Sequence, residues 1–147
     1  MGLRRSEDLS EVEGAGKKPP SKYGYPSEMS GAQMRSLVEY LGLSRREVAR
    51  LLEVHESSVH RWWSDLSKVP VGVVDQLQEM LDDSTRIEEQ VLQELSKRGS
   101  ARVPHSQEDL ESSVARYGPI FYRVAAARAL RVYNSRADEP GRLLWVD

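Results

Sequence analysis

Ser57, His60, Arg61 and Ser64 fall on positions one, four, five and eight of the stretch SVHRWWS extended back to Ser57. On a helix that spacing places two hydroxyls, an imidazole and a guanidinium on one face, and none of them would serve a core. The chemistry open to them is recognition. Arg bonds guanine O6 and N7 bidentately, Ser, His and Glu fit other base edges, and the DNA major groove, ~12 Å wide, admits one helix. Glu56, just ahead of the four, completes a base-reading set of Glu56, Ser57, His60, Arg61 and Ser64. Each has a plainer alternative. Ser57 and Ser64 suit phosphate better than bases. Glu56 also suits the positive end of a helix dipole, and its repulsion of phosphate favours selectivity over affinity. Arg61 has Asp65 four residues on as an ion-pair partner. His60 fits a base edge, a phosphate or simple exposure.

Other chemistries find no support. The chain has no cysteine, and His55, His60 and His105 are not spaced as metal ligands. Asp82 and Asp83 have no matching His or Lys for a metal-dependent nuclease and read as a solvated face. No nucleophile arrangement and no Gly-rich phosphate loop occurs. The expectation is a non-enzyme without cofactor or metal. A net charge of −2 gives no bulk attraction to nucleic acid, so binding must come from a local patch. Arg35, Arg45, Arg46, Arg50 and Lys68 surround the polar face and are the candidate phosphate contacts. No apolar run is long enough for a membrane span or secretory signal, and a cytoplasmic location is expected.

Short helices must position these groups. Ser30 with Gln33, and Ser44 with Glu47, have capping-box spacing. Met34, Leu37, Val38 and Leu41 form one helical face, closed by Gly42; Val48, Leu51 and Leu52, with Ala49 beside them, form the next. The pattern halts at Glu53 and Val54, and restarts at Glu56 behind His55 as N-cap. At about 100° per residue from Val59, Trp62 and Trp63 flank the core direction. Trp62 is expected in the core. Trp63 is expected to pack against the helix that starts at Pro70, or else to lie half-exposed with its indole N–H on a phosphate.

Residues 1–29 hold five basic and five acidic residues with few aliphatics and read as a disordered tail. Pro70 suits a first turn, and Val74, Leu77, Leu81, Val91 and Leu95 predict helix to about Lys97, as one helix or as two broken near its polar middle. Residues 107–116 predict a short helix, Tyr117 to Pro119 a break, and IFYRVAAARALRVY another helix. GRLLWVD reads as a strand, with ARVPHS as its partner.

LSRREVARLLEVHESSVHRWW resembles the helix-turn-helix of Cro/repressor-type DNA-binding domains, over Ser30 to about Leu81. Ala49 stands where that motif wants a small residue, Val54 and Val59 match buried positions, and Trp62 matches the closing aromatic. With Val48 and Leu52 these make the motif core. The resemblance implies a helical DNA-binding domain with Glu56 to Ser64 as recognition helix. Glu53 departs from the usual turn glycine; in left-handed conformation it costs about 1 kcal/mol and distorts the turn. The layout is also similar to the anti-CRISPR-associated and YdiL-like regulators of phages and bacteria, which join such a motif by a long helix to a small C-terminal dimerisation unit.

The expected fold is therefore mainly α: a Cro/repressor-like bundle over 30–98 with a long connecting helix, then a small α+β dimerisation unit over 99–147. Phe121, Tyr122, Val124, Tyr133, Leu143, Leu144 and Trp145 are its expected dimer surface. The expected function is sequence-specific transcriptional regulation, as a repressor, by a homodimer on an inverted repeat of double-stranded DNA. The alternative is an antitoxin-type module that binds a protein partner, its acidic stretch Asp75 to Glu94 facing a basic toxin, with autoregulatory DNA binding.

Overall fold

The computed structural model describes residues 28–147. The tail expected over 1–29 lies outside them except at its end, where Met29 is buried in the core rather than solvated. The chain is mainly helical: α1 (Gly31–Tyr40), α2 (Arg45–Leu52), α3 (Glu56–Trp63), α4 (Val71–Arg98), β1 (Ser100–Val103), α5 (Pro119–Asn134) and β2 (Arg142–Trp145).

Local chemistry explains the first two helices. Both expected capping boxes form: Ser30 Oγ accepts from the Gln33 amide while Gln33 Oε1 accepts from that of Ser30, and Ser44 and Glu47 repeat the exchange. Gly42 turns the chain with φ +77°, and a Cβ there would meet Val124 Cγ2 of α5 at 2.7 Å. The turn needs glycine for its conformation and for its close packing.

α4 is a single helix of 28 residues, about 42 Å long at 1.5 Å per residue. Pro70 precedes it as N-cap instead of occupying its first turn. The polar middle does not break it, because its polar groups have partners. Ser84 is fully buried, and its Oγ accepts from Arg128 of α5, whose guanidinium also donates to Glu88 Oε1 at 3.0 Å and to the Tyr40 carbonyl at 2.8 Å. Asp83 likewise is no solvated carboxylate: it accepts from Tyr117, Arg116 and Arg86.

α5 packs on α4 through Ala125, Ala126 and Ala129, all fully buried, whose small side chains let the helices approach closely. Phe121 is also fully buried, stacked on Tyr117 with ring centroids 4.0 Å apart. It belongs to the chain's own core, which corrects its assignment to a dimer surface. Tyr122, Val124, Tyr133, Leu143 and Leu144 are partly buried, and Trp145 is 52% exposed.

The helix expected over 107–116 does not form. Two short 3-10 turns, Gln107–Asp109 and Ala115–Tyr117, stand there, held by side chains that take the place of helical bonds. Asp109 Oδ2 accepts from the His105 and Ser106 amides, and Gln107 Nε2 donates to the Ala115 carbonyl. The two strands do form and pair in parallel, Ser100 opposite Arg142 and Val103 opposite Trp145. Parallel pairing requires a long crossover, which the 3-10 turns and α5 supply. One hydrophobic core runs from Met29 to Ala129, and among the described residues no helix is long and apolar enough to cross a membrane.

Candidate functional site

α2 and α3 are joined by only Glu53, Val54 and His55. Glu53 takes the left-handed conformation, φ 59° and ψ 45°, considered for it because the resembling motif usually has glycine there. The turn is regular all the same: the Glu53 amide donates to the Arg50 carbonyl and that of Val54 to the Ala49 carbonyl at 3.0 Å, a C-terminal closure normally made with glycine. The expected distortion is absent, and the cost is confined to one residue's φ.

Behind the turn, Val48 and Val59 are fully buried, with Ala49, Leu52 and Trp62 nearly so. Val54, which matches a buried position of the motif, is partly buried and packs against the core. This anchoring fixes which way α3 faces. Ser57, His60, Arg61 and Ser64 are all exposed, within an arc of about 100° on the helix, and Glu56 is exposed at its first turn.

Two ionic arrangements on this surface escaped the sequence reading. Arg45, at the start of α2, pairs with Glu56, at the start of α3, at 3.5 Å. The acid that would temper phosphate attraction therefore sits beside one of the candidate phosphate ligands. Asp65, also left-handed at φ 59°, does not pair with Arg61; its Oδ1 accepts from the Gly31 amide at 2.8 Å. Arg61 and Arg46 have no ion pair among the described residues.

The other expected phosphate contacts are engaged at the surface. Arg35 pairs with Glu39 at 3.3 Å, Lys68 with Glu28 at 3.7 Å, and Arg50 donates to the Arg116 carbonyl at 3.2 Å. Exposed pairs of this kind are worth only about 0–1 kcal/mol, so an anionic ligand competes for these cations at little cost.

Trp63 lies against α1: the Arg35 guanidinium sits 5.2 Å from its ring centroid. Its Nε1 is buried and has no hydrogen-bond partner among the described residues, so the indole N–H does not face outward toward a phosphate. A Cβ on Gly31 would meet the Trp63 and Trp62 carbonyls at 2.3 and 2.4 Å, so the end of α3 is seated directly on the start of α1.

Among the described residues no group of three or more His, Asp or Glu is placed to hold a metal ion. No family model and no curated protein matches the chain.

Proposed function

We propose that the chain is a sequence-specific DNA-binding regulator, a repressor, that lays α3 in the major groove and acts as a homodimer on an inverted repeat. In this reading α2 and α3 form a helix-turn-helix of the Cro/repressor type. One observation carries it: an eight-residue helix is anchored by Val59 and Trp62 while its opposite face exposes Ser57, His60, Arg61 and Ser64. Arg61 is the principal base reader, and Arg46, with Arg35, Arg45 and Arg50, the phosphate clamp. A single short helix buries less surface than a specific site requires, which is the reason for the dimer.

The antitoxin reading draws less support. Two acids of α4 that would face a basic partner, Asp83 and Glu88, are already paired within the chain with Arg116 and Arg128.

In vitro selection of DNA bound by the purified protein tests the proposal. Enrichment of a palindrome with half-site centres about one helical turn, 34 Å, apart or a multiple of it is expected. A pool without enrichment would sink it.

A further inference from the structure

A cavity of about 290 Å³ lies between the middle of α4, the 104–114 segment and the start of α5. That volume is at the small end of the range for ligand pockets, about 300–1,000 Å³. Its apolar wall is Ile87, Leu110 and Val114, with the Tyr122 side chain alongside. Six charged side chains also line it, and four of them are already answered. Asp83 is paired with Arg86 and Arg116, Arg102 with Asp147 at 3.0 Å, and Asp109 with the His105 and Ser106 amides. The remaining two, Glu94 and Glu111, have no ion pair among the described residues, and the negative field of both is felt at the Tyr122 hydroxyl, whose pKa is raised first by burial and then by them.

The geometry points to a binding site for a small organic cation with an apolar body, an arylalkyl- or alkylamine, its ammonium between Glu94 and Glu111 and its body on Ile87 and Val114. Two acids without an ion pair and an apolar wall on one partly enclosed space favour such a ligand over an anion, by charge. The other two carboxylates on the lining, Asp83 and Asp109, are already engaged, and no group of three His, Asp or Glu among the described residues is placed to hold a metal ion.

The site is connected to α2. Val114 directly precedes the 3-10 turn that holds Arg116, and the Arg116 carbonyl accepts from Arg50. Asp83, on the cavity wall, holds both the Arg116 guanidinium and the Tyr117 hydroxyl. Occupancy that shifts Val114 thus repositions the carbonyl that restrains Arg50. This second half, regulation of DNA affinity, rests on the proposed function; the binding site itself does not.

Amide NMR titration of the full chain with phenethylamine, and with its neutral counterpart phenethyl alcohol, tests the site. Saturable shifts at Gln90, Val114 and Tyr122 are expected, with the alcohol about tenfold weaker, the ratio for one charge-assisted hydrogen bond. Glu94→Gln combined with Glu111→Gln should bring the amine down to the alcohol's affinity. Absence of saturable shifts, shifts located elsewhere, or equal affinity for amine and alcohol overturns the site. On a selected operator the amine should change affinity in the wild type and not in Arg50→Ala; binding without any change of operator affinity overturns the connection. Failure to select any operator tells against the proposed function, and the titration still decides the cavity.

Discussion

The Gly31 amide donates to Asp65 Oδ1 at 2.8 Å, tying the first residue of α1 to the second residue after the end of α3. Asp65 satisfies one of the free amides of a helix start across 34 residues of sequence. Asp65→Ala should cost about 1 kcal/mol in urea denaturation, the size of a lost cap. Gly31→Ala should cost more, since its Cβ meets backbone carbonyls that cannot rotate away.

Glu53→Gly should stabilise the chain by about 1 kcal/mol, because the left-handed conformation is already in place and glycine adopts it without the Cβ penalty. The gain should be read as a higher midpoint in denaturant at unchanged slope. A loss would mean that the Glu53 side chain contributes an interaction of its own.

Arg61→Ala should weaken binding to a selected operator by about 1–3 kcal/mol and relax specificity at one base pair. Arg46→Ala should weaken selected and random DNA alike, with a salt dependence reduced by about one counterion. Competition binding at several salt concentrations separates the two behaviours.

Phe121→Ala should cost about 3–5 kcal/mol, as for a fully buried aromatic, whereas Trp145→Ser should cost less, because Trp145 is 52% exposed and loses only its packing on His105 and Arg123. If Trp145 also lies in the dimer contact, beyond its own packing on His105 and Arg123, the same substitution should shift the mass measured by light scattering. Arg128→Ala should cost about 2–3 kcal/mol, since it strips partners from Glu88 and from buried Ser84 together.

Burial raises the pKa of Tyr117 above its ordinary value of 10.0, outweighing the opposing pull of Arg116. The unfolded chain therefore loses this proton first, and the stability tied to the neutral phenol is intact below pH 10.0 and lost as pH rises beyond it. Tyr117→Phe should flatten this alkaline limb in denaturation followed by circular dichroism.

What could be read from the sequence was what is local. The Ser30 and Ser44 caps, the periodicity of α1 to α3, the exposed set from Ser57 to Ser64 and the left-handed Glu53 all depend on neighbours within a few residues. Asp83 read as part of a solvated face, and the pairing of Ser84 with Arg128 left no signal, because their partners come from distant parts of the chain. The segment 107–117 misled for a related reason: its acids and glutamine resemble a helix start, yet Asp109 and Gln107 spend their hydrogen bonds on local backbone groups. Phe121 was misplaced because an aromatic in an amphipathic helix looks the same whether it faces α4 or a second subunit.

The parallel strand pair has a kinetic consequence. Ser100 meets Arg142 only after about 40 intervening residues have been looped back, an entropic cost that α1 to α4 do not face. Low-contact-order helices fold early, so β1 and β2 should zip up last and open first. Their amides should exchange with deuterium ahead of those in the centre of α4, making this end of the molecule a partially unfolded state that is visited while the α2 and α3 pair stays intact.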